Sequence, residues 1–96
     1  MKTHFNQSFL EDSTETLRAI AHPIRIAIID LLYTNGQMTV TDIYQSLHIE
    51  QAIASHHLRI LKSKNVVNAE RDGKNSLYSL TKDEYYDVIK TLKKVI

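Results

Sequence analysis

Along this 96-residue chain the hydrophobic positions recur first at helical spacing, then in alternation, then at helical spacing again. Leu10, Leu17, Ile20 and Ala21 are the first helical set, and "SFLE" offers Ser8 and Glu11 as a capping box. A first helix is therefore predicted from about Ser8 to Ala21, behind a patternless, flexible lead over residues 1–7. In "HPIRIAIIDLLYTNG", Ile24, Ala27, Ile28, Leu31 and Leu32 form an i, i+3, i+4, i+7 stripe that Ile26 and Ile29 widen. Pro23 suits the first turn of this second helix, and Asn35-Gly36 ends it. Thr39, with Asp42 three residues on, caps a short third helix whose inner face is Val40, Ile43 and Leu47. After a tight "HIE" connection a fourth helix runs from about Gln51 to Lys64. Its inner stripe is Ala54, His57, Leu58 and Leu61. Asn65 stands where a left-handed residue closes a helix.

The period then drops to two. "VNAERDGKNSLYSL" reads as a hairpin turning at Asp72-Gly73, both expected at positive φ, with Tyr78 and Leu80 facing inward opposite Val67 and Ala69. "TKDE" offers Thr81 and Glu84 as another capping box. The helix it opens carries Tyr85, Val88, Ile89, Leu92, Val95 and Ile96 along one side. The chain is thus mainly α with a small β-hairpin, in the order helix, helix, helix, helix, strand, strand, helix. That order is a winged helix-turn-helix. One domain is expected over residues 8–96, with the paired helices at about 40–64, the wing at about 66–80 and a C-terminal dimerisation helix at about 82–96.

Composition narrows the chemistry. Cysteine is absent, which excludes disulfides, zinc–thiolate sites and thiol redox sensing. The N-terminal stretch is polar and acidic, so no secretory signal is read there. The longest apolar run, "IAIIDLLY", is short and contains Asp30, and a cytoplasmic protein is expected. The net charge of +1 says little, but its distribution says more. Residues 1–50 carry three basic and six acidic side chains, whereas residues 51–80 carry five basic and two acidic. Positive charge therefore gathers on the fourth helix and the wing, as a phosphate-binding surface requires.

The fourth helix contains "ASHHLRIL", whose paired histidines raise metal, nucleophile and DNA readings. Neighbouring helical residues point about 100° apart, so His56 and His57 cannot share one ion. His57 falls on the core stripe, while His56 joins Gln51, Ala52, Ser55 and Arg59 on the opposite face. These side chains suit base edges in a major groove. Gln51 matches adenine, His56 a guanine acceptor and the Ala52 methyl a thymine methyl. Lys62, Lys64, Arg71 and Lys74 are expected on phosphates, with Thr39, Thr41 and Gln45 near the backbone.

"LRAIAHPIRIAIIDLL", "MTVTDI", "ASHHLRIL" and "NVVNAERDGKNSLYSL", in that order, resemble the ArsR/SmtB winged-helix repressors over about Leu17 to Leu80. The resemblance implies a homodimeric repressor of transcription that releases double-stranded DNA when an effector binds. Ala52 departs from it, standing where the family usually has a small hydroxyl residue. Glu50 departs too, standing where Ser or Thr would cap. Metal-sensing members carry cysteines from the position of Thr39 onward, or Asp and His on the last helix. Here Thr39 and Thr41 supply no thiolate, and "KDEYYDVIKTLKKVI" has no histidine. Asp83, Glu84 and Asp87 read as first-turn acids, and His4, His22 and His48 are scattered. No metal, cofactor or catalytic residue is expected. Ser55 lacks an acid partner in sequence and no Gly-rich phosphate loop occurs, so the chain is read as no enzyme. The dimer contacts are expected from Leu10, Leu17, Tyr85, Ile89, Leu92 and Ile96, with the last helix lying on the first. Two other readings stay open: a winged-helix module for an acidic protein partner, and a zinc- or nickel-responsive repressor using non-cysteine ligands.

Overall fold

The computed structural model describes residues 2–96. Helix α1 spans Gln7–Ile20, α2 Pro23–Asn35, α3 Val40–Leu47, α4 Gln51–Ser63 and α5 Glu84–Leu92. Strand β1 is Met38–Thr39, β2 Val67–Asp72 and β3 Asn75–Leu80, in a sheet of order β1-β3-β2. No helix among the described residues is long and apolar enough to cross a membrane.

The core lies between α2, α3, α4 and the base of the sheet. Ile28, Ile29 and Leu32 of α2 meet Ile43 of α3, Leu58 and Leu61 of α4, and Val66 and Val67 at the root of the wing. The second helix keeps the smallest share of its residues exposed, because its apolar positions extend around more than half its circumference, although α4 has more buried residues. The radius of gyration is 14.5 Å, against about 12 Å for a compact chain of this length. A longest dimension of 50 Å accounts for the excess.

The helix ends are built as the sequence suggests in three places. Thr39 Oγ1 accepts from the Asp42 N–H at 3.1 Å and caps α3. Gly36 takes φ +83° and closes α2 through its N–H on the Leu32 carbonyl. Asn65 takes φ +64° beyond α4, where the Asn65 N–H donates to Lys62 O and the Val66 N–H to Leu61 O. That double closure is a Schellman motif, and its apolar pair, Leu61 and Val66, is fully buried. His48, at φ +55°, closes α3 in the same way, with Ile49 N–H on Tyr44 O.

Four expectations are corrected. Helix α1 starts one residue earlier, capped by Asn6 Oδ1 accepting from Phe9 N–H at 2.8 Å, and Glu11 bonds to Gln7 instead of closing a box with Ser8. The wing turns at Gly73-Lys74 rather than Asp72-Gly73. Asp72 pairs with Asn75, and only Gly73 has positive φ, the pattern of a II′ turn. Thr81 does not cap α5. Its hydroxyl donates to the Asn65 and Val66 carbonyls at 2.7 and 3.1 Å, fastening the foot of the wing to the end of α4. Helix α5 then begins at Glu84 without a side-chain cap and ends at Leu92, so Ile96 lies beyond it. The inward register is as expected, Val67 opposite Leu80 and Ala69 opposite Tyr78. The third strand, β1, was not expected. Two residues are too short a run for alternation to register.

The left-handed site at Asn65 gives a direct check. Asn65→Val should lower the unfolding free energy by about 1–2 kcal/mol, because a β-branched side chain clashes at positive φ. Asn65→Gly should cost nothing. Urea unfolding of the two variants measures this, and equal losses would contradict it.

Candidate nucleic-acid interface

Helix α4 has two chemically distinct sides. Ala54, His57, Leu58 and Leu61 are buried, within an arc of about 100° on a helical projection. Gln51, Ala52, His56 and Arg59 are exposed and Ser55 is half-buried, and these five occupy a separate arc of about 140°. The structure therefore brings together every side chain expected to read bases. Their shared face exists because the spacing 51, 52, 55, 56, 59 is complementary to 54, 57, 58, 61 on a 3.6-residue helix.

The inner side is held by a polar junction as well as by packing. His57 is 6% exposed, and its Nδ1 accepts from Arg25 Nε at 3.2 Å. The same guanidinium donates through Nη1 to the Ala19 and Arg18 carbonyls at 3.1 and 3.3 Å. Those carbonyls belong to the last turn of α1, where a helix lacks internal donors. The His22 ring lies 4.2 Å from the His57 ring, and His22 Nδ1 accepts from Ile24 N–H at 3.0 Å to cap α2. Burial first, then the neighbouring His22 and Arg25, then His56, push the His57 pKa below its ordinary 6.5. The uncharged ring is what Arg25 needs, since a protonated Nδ1 could not accept. Sequence reading placed His57 in the core but missed Arg25 and His22 as its partners, which lie 32 and 35 positions away.

The basic residues divide. Lys62, Arg71 and Lys74 are exposed on the end of α4 and the wing. Arg71 pairs across the ladder with Ser76, and Lys74 is at the turn. Lys64 instead reaches back to Glu15 of α1, Nζ to Oε2 at 3.4 Å, and Glu15 also pairs with Arg18 at 3.5 Å. Lys64 is thus already partnered, although the pair is exposed enough to exchange. Thr41 and Gln45 are exposed on α3 beside this surface. Glu50 precedes α4 and makes no side-chain cap bond, leaving its carboxylate free at the positive end of the helix.

The expected dimer residues fall into two groups. Leu10, Tyr85 and Ile89 are half-buried, and Tyr85 and Ile89 pack on the core. Leu17 and Leu92 are 54% and 42% exposed and Ile96 is fully exposed. The last helix rests on α2, not on α1 as expected. Tyr86 stacks on Tyr33 with ring centres 3.9 Å apart, and Ile89 lines a cleft with Ile26 and Ala27. A groove of about 610 Å³ stays open between α1 and α5, lined by Phe9, Leu17, Ile20, Tyr85 and Val88 with Lys82 and Glu84 at its rim. Phe9 and the Tyr33–Tyr86 stack went unread in the sequence, because an apolar residue on a helix does not name the residue of another element that it meets. Among the described residues, no three His, Asp or Glu side chains gather as a metal set.

Two measurements follow from the two sides of α4. His57→Ala should lower the unfolding free energy by roughly 1–3 kcal/mol, because it leaves the Arg25 bond unmade. His56→Ala should leave stability within about 0.5 kcal/mol. Equal losses would refute the assignment of faces. The lowered His57 pKa also sets a pH dependence. Below 6.5 the unfolded chain takes up a proton that the folded chain resists, so stability is full above that pH and falls as pH drops through the window beneath it. Thermal midpoints between pH 7.5 and 5.5 should decline, and His57→Gln should flatten the decline.

The fold and this surface have relatives. The family model described as bacterial regulatory protein, arsR family, matches residues 22–69. The chain is 42% identical over 74 residues to the HTH-type transcriptional repressor SmtB of Mycobacterium tuberculosis, covering 77% of this chain but only 54% of that protein. It is 35% identical over 86 residues to the transcriptional repressor PagR of Bacillus anthracis, covering 90% and 86%. The crystal structure of PagR superposes with a TM-score of 0.80, covering 91% of this chain and 99% of that one, at 34% identity. A Mycobacterium bovis fragment described as a homodimeric winged helix-turn-helix DNA-binding domain has a TM-score of 0.80 at 23% identity, covering 98% and 86%, and bears on the fold alone. The winged helix-turn-helix, the motif order along the chain and these relatives agree, and the chain belongs to the arsR family of bacterial regulatory proteins.

Proposed function

We propose that this protein is a transcriptional repressor that binds double-stranded DNA as a homodimer and acts in the cytoplasm by binding, not catalysis. The observation that carries the reading is the division of α4 into a buried apolar side and an exposed side bearing Gln51, Ala52, Ser55, His56 and Arg59. The names of SmtB and PagR, both described as transcriptional repressors, support it. In this reading α4 enters the major groove with its first two turns against base edges. Lys62, Arg71 and Lys74 lie along phosphates, and Lys64 joins them by leaving Glu15.

The open groove between α1 and α5, with exposed Phe9, Leu17, Val88 and Leu92 around it, is where a second copy would bury apolar surface. Leu10, Tyr85, Ile89 and Ile96 complete that proposed contact. A two-fold axis there places the two α4 helices about 34 Å apart and requires a near-palindromic operator. With no cysteine in the chain, the effector that relieves repression is read by other chemistry.

Selection of bound duplexes from a random pool tests symmetry, half-site spacing and specificity together. The expected result is a near-palindrome with half-sites one helical turn apart. Affinity should fall with salt, at a logarithmic slope of about −0.9 per phosphate neutralised. Arg71→Ala should weaken binding evenly across sequences and reduce that slope by about one. Affinity independent of salt, with no duplex enriched, would overturn the reading in favour of an acidic protein partner.

A further inference from the structure

Among the described residues, the exposed large apolar side chains belong to α1 and the residues before it, the end of α2, or α5 and the residues after it, with one exception. The exception is Ile53, 39% exposed on the first turn of α4. It belongs neither to the core nor to the partly buried side chains packed on the core. Its backbone is firmly placed, since the N–H groups of Ile53 and Ala54 both donate to the Glu50 carbonyl at 3.1 Å. Folding therefore fixes where Ile53 stands while leaving part of its side chain open to solvent and off the core.

Its neighbours show what it could touch. On a helical projection Ile53 lies about 60° beyond His56, and Ala52 about 40° before it. Exposed apolar groups thus flank the His56 imidazole on both sides. At the floor of a major groove the bases offer donors, acceptors and one apolar group, the C5 methyl of thymine. A β-branched side chain has few rotamers, so its ordering on contact costs little. We infer that Ile53 is a specificity-determining residue that closes on a pyrimidine C5 methyl beside the base pair facing His56. This inference rests on the proposed reading of DNA by α4 and extends the reading surface by one residue that hydrogen-bond chemistry would not select.

The methyl alone can be removed from the DNA. In the enriched duplex each thymine is replaced in turn by deoxyuridine, which keeps every hydrogen-bonding group. One position per half-site should then weaken binding by the full-length protein about fourfold, the worth of burying one methyl-sized group. Cytosine at that position should bind more weakly than 5-methylcytosine. Ile53→Ala should lose the deoxyuridine effect while still preferring the duplex over scrambled DNA, and Ile53→Val should keep part of it. Indifference of the unaltered protein to every deoxyuridine overturns the inference, whatever the variants do. So does a deoxyuridine effect that survives undiminished in Ile53→Ala and Ile53→Val. Failure to enrich any duplex is a separate result, which removes the DNA reading and this inference with it.

Discussion

A single guanidinium joins the three segments whose relative placement decides how α4 is presented. Arg25 sits in the first turn of α2, donates forward to His57 on α4 and backward to the last carbonyls of α1. Arginine stays charged at any ordinary pH, so its partners must all be acceptors. That requirement fixes His57 as neutral with its proton on Nε2, while His22 Nδ1 accepts the cap bond from Ile24 N–H. The His57 imidazole is thereby kept uncharged beside a permanent cation, with the His22 ring 4.2 Å away. The polar outer side of α4 can be given over to a partner because this inner side is fully occupied. The apolar residues around His57 supply burial, while the Arg25 fork supplies direction.

Charge is organised along the same division. Acidic residues predominate through α1 to α3, and basic residues gather on α4 and the wing. Glu15 marks the boundary by pairing with Lys64 and Arg18 together. An exposed pair of this kind contributes little to stability. Its interest is that Lys64 can exchange one acidic partner for another at small cost, whereas Lys62, Arg71 and Lys74 have none among the described residues.

Much of the fold was legible because the chain states its periods plainly. The helical stripe of α2, the inner residues of α4 and the alternation across the hairpin are single-element patterns, and each appears where the pattern puts it. Local capping chemistry was legible where the side chain or backbone conformation had one local use, as at Thr39, Gly36 and Asn65. It failed where a nearer residue capped instead, as Asn6 does for α1, and where a distant acceptor competed. Thr81 has the look of a helix cap, but the open carbonyls after α4 claim its hydroxyl. The exposed face of α4 followed from spacing alone. The Arg25 junction did not, because it joins residues that no sequence window contains. The seat of α5 on α2 was lost for a related reason. An apolar stripe says that a helix must pack, but the choice of neighbour rests on details such as the Tyr33–Tyr86 stack.

Strand β1 is only two residues long, yet it ties the helix pair to the wing. Its second residue, Thr39, is paired with Leu77 in the central strand and is also the cap of α3. The wing is clamped at its other root by Thr81 on the end of α4. The two helices of the motif and the wing are thus joined at both roots of the wing, by a strand pairing with a cap at one and by a shared hydroxyl at the other. In the proposed dimer, a signal that loosened the hold on DNA would therefore act on the distance or angle between two whole copies, and α5, which packs on α2 outside this connection, is placed to carry it.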